Sequence, residues 1–417
     1  MPTTAPSSPS SAPAGAHPSE PDAPSSSHPA PPASSQPSPP TPPNPRRSLL
    51  GRLAVPLLER LAYPSSPDRY LEMVDPTWSL REVRGTVEAL DRGTAGSITL
   101  RIRTNGNWRG HLAGQHVVLS LDVAGVRRSR CYSVTGSQHA RDGVVELVVR
   151  RGSSDGVEGV VSGHLHETLA VGAVVHLTQA HGTFVLPEER PEHVLLVSGG
   201  SGITPVLAIL RTLVDEGRAA GGRAGRVTFV HYTRSLDEVP AHDELLDLAD
   251  DNPGLRLVRV TTRSEEHPDG VTGHFSPAQL EAVVPDWRRS GAFVCGSSRL
   301  VGAVRELFQA EGIALEAEQF DPPAAIVPDD TEVTGEVSFS ASGVGAENTG
   351  RPLLEQAEAL GLRPAYGCRM GICFSCTRRK TAGTTRHLHT GEATTEAEAD
   401  IQLCVSVPVG GDVTIDL

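Results

Sequence analysis

The chain has 417 residues and a formal net charge of −13, long enough for two to four domains that each bury a core. The acidity argues against a nucleic-acid role, which needs clustered Lys and Arg to neutralise phosphates. Six cysteines in so long a chain do not make a secreted disulfide framework and point to reducing cytosol; no run of about 18 uncharged apolar residues exists to span a bilayer.

Residues 1–45 hold 16 of the 34 prolines and no aromatic residue, a composition that cannot offset its ordering entropy and predicts a disordered tail. The tail has neither an apolar h-region nor an early basic n-region, so no secretory leader is expected. Residues 46–77 form a lead-in. Within it, Leu49, Leu50, Leu53, Leu57, Leu58 and Leu61 recur at helical spacing among arginines, predicting a basic amphipathic helix broken at Pro56. Such a helix packs on its own domain or rests peripherally on a membrane.

From 78 to 190 short alternating runs ("SITLRIRT", "QHVVLSLDV", "VVELVVRR", "AVVHLTQ") separated by turn residues predict a small antiparallel β-barrel. From 191 to 320 apolar strands alternate with helical stretches, predicting an α/β domain with a parallel sheet. Residues 321–331 are a linker, and 332–417 make a small α+β domain. The close pairs His164/His166 and His387/His389 lack a third ligand in a sensible pattern and read as surface or loop histidines.

Three stretches carry chemistry. "LLVSGGSGITPVLAIL" runs from a strand through Gly199, Gly200 and Gly202 into a helix. Glycines admit a diphosphate close to the backbone, and the helix start offers N–H groups. Thr204 stands where an N-cap is expected, with Pro205 in the first turn. At the end of the next strand, "VHYTRS" carries Arg234 and Ser235 where an NAD site tends to place an acidic residue; these two suit a 2′-phosphate and favour NADPH over NADH. Upstream, Arg130, Tyr132 and Ser133 in "RCYS", and the helix start after "GVVS" at Gly159, Val161 and Ser162, offer what a flavin needs: a flat aromatic face, a hydrogen-bond donor, and cationic and N–H donors for phosphate.

The third stretch is "PAYGCRMGICFSC". Cys368, Cys373 and Cys376 give Cys-x4-Cys-x2-Cys, and Cys404 follows in "IQLCVSV", the plant-type spacing for a [2Fe–2S] cluster. Gly367 and Gly371 permit the backbone angles that wrap a cluster. Zinc is the alternative for four cysteines, but its sites more often use two separated Cys-x2-Cys knuckles. Arg369, Arg378, Arg379 and Lys380 crowd this loop and suggest an acidic docking patch on an acceptor.

Over residues 78–320 the chain resembles the ferredoxin-NADP reductase superfamily, through R-x-Y-S at 130–133, G-x-x-S at 159–162, G-G-x-G-x-T-P at 199–205 and Cys295–Gly296. The resemblance implies FAD or FMN in the barrel, with Arg130 on the flavin phosphate, Tyr132 against the ring and Ser133 near its reactive nitrogen. It implies that Gly200, Gly202 and Thr204 meet the dinucleotide, that Cys295 lies beside the nicotinamide, and that Phe320 in "EQF" stands against the flavin. Residues 332–417 resemble a β-grasp ferredoxin domain. With "DRYLEMVDPTWSLREVRG" and W-x-G-H-x-A-G-Q-H at 108–116, the chain looks most like the actinobacterial electron-transfer partners of membrane acyl-CoA desaturases.

The expectation is therefore a cytoplasmic NAD(P)H oxidoreductase that passes electrons through flavin and cluster, one at a time, to an oxygen-activating partner. A hydroxylase, ring-hydroxylating dioxygenase or P450 system could replace the desaturase. A redox sensor without turnover is the alternative of another class.

Overall fold

The computed structural model describes residues 67–93, 96–123, 125–151, 153–154, 157–158, 160–218, 225–263, 269–320, 333–367, 369, 371, 374–388 and 391–417. The tail, the amphipathic stretch at 46–61, Gly159, Cys368 and Cys373 lie outside them.

A short helix, α1 (Pro67–Glu72), leads into β1 (Val83–Asp91). Its Asp68 accepts from the Ser79 hydroxyl and the Leu80 amide, both at 2.8 Å, which ties the lead-in to the start of the first sheet. There follow β2 (Ser97–Thr104), β3 (His116–Val123), β4 (Val126–Ser133), β5 (Val144–Arg150), the two-residue β6 and β7 (Ser153–Ser154, Val157–Glu158), α2 (Val160–Glu167) and β8 (Val174–Leu177). Six of these strands form one antiparallel sheet in the order β4-β3-β8-β1-β2-β5. An isolated bridge, Val134 to Leu147, joins the chain just past β4 to β5, so the sheet curls on itself. In β2, Ile98, Leu100 and Ile102 are buried, whereas Arg101 and Arg103 are exposed, the period of two that fills one face. Those residues join Val87, Leu119, Leu147 and Leu165 in a single core.

The second layer system is parallel. β9 (His193–Gly199), α3 (Ile203–Asp215), β10 (Arg226–Thr233), α4 (His242–Asp251), β11 (Leu255–Thr261), α5 (Pro277–Val283), β12 (Gly291–Gly296), α6 (Ser298–Ala310) and β13 (Leu315–Gln319) build a sheet ordered β11-β10-β9-β12-β13. β9 reads as a continuous apolar run and is buried almost throughout, as expected of a central strand covered by helices on both faces. Cores on the two faces gather Leu196, Ile209 and Phe229 on one side and Val197, Val260 and Phe308 on the other.

Arg211 of α3 fastens the two systems together. It donates from Nη1 to Glu146 Oε1 of β5 at 2.5 Å and to Thr135 O at 2.9 Å, and pairs with Glu244 of α4 at 2.6 Å. Burial opposes ionisation of Glu146, yet the Arg211 charge and hydrogen bond hold its carboxyl below the usual range. Removing one member of such a half-buried network costs about 3–5 kcal/mol, because the other charge is left without compensation.

The last region holds β14 (Glu336–Phe339), β15 (Val344–Glu347), α7 (Leu353–Ala359), β16 (Thr377–Ala382), β17 (Thr385–His387), β18 (Ala393–Thr394), β19 (Ala399–Gln402), β20 (Ser406–Pro408) and β21 (Val413–Ile415). The sheet order is β15-β14-β21-β16-β19, with β14 and β21 parallel and the other pairs antiparallel. α7 buries Leu353, Leu354 and Ala357 in a core shared with Val337, Phe339, Cys376 and Cys404. Among the described residues no helix is long and apolar enough to cross a membrane.

Candidate functional site

Arg130, Tyr132 and Ser133 sit on β4, whose register places Ser133 opposite His116 of β3. Burial pushes the Tyr132 phenol well above its ordinary value, so the ring stays neutral at physiological pH. Ser133 is 4% exposed, and its Oγ is buried without a hydrogen-bond partner among the described residues. A buried hydroxyl in that state is costly unless something else satisfies it, and a flavin ring nitrogen is a fitting acceptor. Val161 is buried on α2 and Ser162 is half-buried beside it. Phe320, just after β13, packs against the nucleotide-domain core.

The Gly-rich turn lies where β9 gives way to a single 3₁₀ turn, Gly200–Gly202, and then to α3. Gly200 has φ of +56°, a left-handed conformation suited to glycine. Gly202 serves a different need: a Cβ there would lie 2.3 Å from the Cys295 carbonyl oxygen and 2.6 Å from the Gly296 nitrogen. Its missing side chain lets the turn press against the end of β12, a packing role beside the expected approach to a diphosphate. The N-cap expectation is corrected too. Gly202 caps α3, and Thr204 lies inside its first turn, donating its hydroxyl to Ser201 O at 3.1 Å.

A cleft of about 260 Å³ opens beside this turn, lined by Gly199, Gly200, Arg234, His274, Ser297 and Arg299 among others. Arg234 is exposed and 3.8 Å from Glu238; Ser235 follows it as the cap of a short 3₁₀ turn. Two guanidinium groups at one cleft are a natural anion site. Arg299 and His274 escaped the sequence reading because they arrive from α6 and a loop, far along the chain from Arg234.

Cys295 is the penultimate residue of β12 and is fully buried. Its register partners are Ser198 on one side and Glu318 on the other. Glu318 is the main residue missed from sequence. Its side chain is 13% exposed, its Oε2 is buried without a hydrogen-bond partner among the described residues, and burial pushes its carboxyl up to about 8. The "EQF" segment by itself points only to Phe320, because the burial of Glu318 arises from the pairing of β13 with β12.

In the C-terminal region Cys376 immediately precedes β16 and Cys404 follows β19. The register Thr377↔Gln402 and the hydrogen bond from Leu403 N to Cys376 O at 3.3 Å bring their backbones together, both side chains being buried. The loop that leads into Cys376 turns through positive φ at Arg369 (59°), Gly371 (74°) and Phe374 (55°); Gly367, expected to supply such a turn, is not among them. Gln402 Nε2 donates to Gly371 O at 2.6 Å and pins the loop. Arg130 Nη1 reaches Gly367 O at 3.5 Å, so the residue expected on the flavin phosphate also touches the residue before Cys368. The expected basic cluster is weaker than its sequence suggested. Lys380 is fully buried with its Nζ donating to the Gly383 and Glu396 carbonyls. Arg369 pairs with Glu358 at 2.5 Å and stacks over Tyr366, and Arg379 pairs with Glu398 at 2.6 Å.

Comparison with known proteins fits this geometry. Residues 95–186 match the oxidoreductase FAD-binding domain and residues 196–306 the oxidoreductase NAD-binding domain. An NADPH oxidoreductase of Mycobacterium tuberculosis (strain ATCC 25618 / H37Rv) is 32% identical over 375 residues, 89% of this chain and 92% of that one. The chain belongs to the FAD- and NAD-binding oxidoreductases of the ferredoxin-NADP reductase kind. A glycine betaine monooxygenase reductase subunit of Chromohalobacter salexigens is 30% identical to this reductase, over 71% of this chain and 84% of the relative. The structure of phthalate dioxygenase reductase shares the fold, with a TM-score of 0.53 and 22% identity, covering 80% of the reductase and 97% of that chain.

Proposed function

We propose that this reductase takes electrons from NADPH onto FAD held by Arg130, Tyr132, Ser133 and the α2 start, and passes them singly through a [2Fe–2S] cluster on Cys368, Cys373, Cys376 and Cys404. The acceptor is an oxygen-activating partner, which we take to be a membrane acyl-CoA desaturase. The observation that carries the reading is the pairing of β16 with β19, which sets Cys376 beside Cys404 under a loop bent through three positive φ angles. Two buried cysteines beside a loop with three left-handed residues fit a cluster, and the buried Ser133 Oγ, without a hydrogen-bond partner among the described residues, fits a flavin.

A bound flavin would accept two electrons as a hydride and release them one at a time. The chain's own part is to hold the nucleotide at the Gly200 turn, to offer Arg234 and Arg299 to a 2′-phosphate, and to keep Cys295 and Glu318 buried side by side near the ends of β12 and β13. NADPH over NADH is supported by that guanidinium pair and by the name of the mycobacterial relative. The names of the glycine betaine monooxygenase reductase subunit and of phthalate dioxygenase reductase support an oxygenase component as the second reading of the acceptor.

Purified protein should contain flavin and iron and reduce cytochrome c with NADPH. Cys404→Ser should lose iron and cytochrome c reduction yet still bleach its flavin with NADPH. Cytochrome c reduction at the wild-type rate by the iron-free variant would sink the cluster route. To identify the acceptor, the tagged protein is retrieved from membranes of its own host; recovery with a soluble oxygenase component and no membrane protein would exclude the desaturase.

A further inference from the structure

Behind Ser133 and Glu318 stands a line of side chains that binding and hydride transfer do not use. His116 is 4% exposed and pairs in register with Ser133. Its Nδ1 lies 3.9 Å from Glu318 Oε1, a gap that a small side-chain adjustment closes. On its other side the His181 ring meets it edge-on, with centroids 4.4 Å apart. The backbones of the two histidines exchange both hydrogen bonds at 3.0 Å, which fixes that spacing. Gly182 closes the corner, since a Cβ there would come within 3.1 Å of His116 Nδ1. His181 is half-buried and lies nearer to solvent than His116.

The proton bookkeeping requires an exit. NADPH gives up a hydride, which is two electrons with one proton, and a one-electron acceptor takes the electrons without it. One proton per NADPH must then travel from the buried ring edge to water. We propose, resting on the function given above, that His116 and His181 are the outer carriers of that proton, receiving it from the Glu318 carboxyl and delivering it to solvent.

Each carrier has a definable role. Glu318 can hold a proton near neutral pH because burial pushes its carboxyl up to about 8; the titratable groups facing it are His116 from β3 and, across the β12–β13 register, the Cys295 thiol. His181 Nδ1 lies 2.9 Å from Gln179 O. A carbonyl only accepts, so Nδ1 carries the hydrogen and Nε2 is the ring's acceptor. The proton moves as a hop: neutral His116 takes it from Glu318 at Nδ1 and releases the one on its other nitrogen toward His181 Nε2, which gives it to water, and rotation of the His116 ring restores the starting tautomer before the next turnover.

The test uses flavin-loaded full-length protein. It is reduced anaerobically with one equivalent of NADPH and mixed with ferricyanide in weak buffer containing a pH indicator. In the wild type, proton release should keep pace with return of the flavin absorbance. His116→Gln should keep its flavin and its rate of electron loss, while proton release falls behind at least about tenfold. His181→Ala, at the half-exposed end, is the second variant; its lag should disappear on adding imidazole. Release synchronous with flavin reoxidation in both variants overturns the proposal with the function intact. Wild-type protein that binds no flavin overturns the function itself, and the proposal with it.

Discussion

At the nucleotide end of this reductase the Gly200–Gly202 turn is wedged so closely against β12 that position 202 has no room for a methyl group. At the cysteine end the loop bends through left-handed backbone at Arg369 and Phe374, positions where a Cβ makes such angles costly. The first shape is enforced by the protein's own backbone, and a ligand arrives at a finished site. The second is held by Gln402 on Gly371 and by the β16–β19 register. On the function proposed above, a metal centre held by the loop would offset that strain. The contrast teaches that the nucleotide half should keep its form without ligands, whereas the cysteine half should depend on what it holds.

The largest effect should come from Cys376→Ala, expected to abolish iron binding and to lower the thermal stability of the C-terminal region, while NADPH still bleaches the flavin. Differential scanning calorimetry alongside iron analysis would check this; a C-terminal transition unmoved by loss of iron would break the contrast. Next, Arg211→Met should cost about 3–5 kcal/mol in denaturant unfolding, since Glu146 and Glu244 lose their shared cation. Gly202→Ala should cost about 1–3 kcal/mol or more by overpacking against Cys295, with flavin content unchanged; an unaltered unfolding midpoint would show that the wedge is not what shapes the turn. Arg234→Gln should raise the KM for NADPH about tenfold, equivalent to about 1.4 kcal/mol, and leave that for NADH nearly untouched.

The last prediction is a pH dependence. Burial pushes His231 down to about 3 from 6.5, while its Nδ1 lies 2.7 Å from Ser198 Oγ. The unfolded chain therefore binds a proton there that the folded one refuses between those values. Stability is full above pH 6.5 and falls as pH drops toward 3, with a slope of at most about 1.4 kcal/mol per unit from this residue. His231→Asn should flatten that part of the acid limb.

Much of the fold was legible because its signals are local. The alternation in β2, the apolar run of β9 and the Gly-rich turn after it each announce an element within a dozen residues. The cysteine spacing likewise pointed to Cys376 and Cys404 before the β16–β19 register brought them together. What stayed hidden depends on strands distant in sequence. Glu318 matters because β13 lies beside β12 and sets it next to Cys295, and nothing in "LEAEQF" reveals that its carboxyl is buried. Lys380 read as a docking cation, yet its place on β16 next to β21 points the amine at two carbonyls inside the domain. Thr204 was misread by two residues, since the 3₁₀ turn preceding α3 lets Gly202 end the loop.

The most direct measurement is an anaerobic NADPH titration followed by visible absorbance and electron paramagnetic resonance, with metal analysis of the same sample. The account predicts two iron atoms per chain, about one for every two cluster cysteines, and a paramagnetic signal that grows after the flavin bleaches and is absent from Cys404→Ser. A chain that carries zinc, or whose iron stays silent while the flavin is fully reduced and cytochrome c is still reduced, would contradict it.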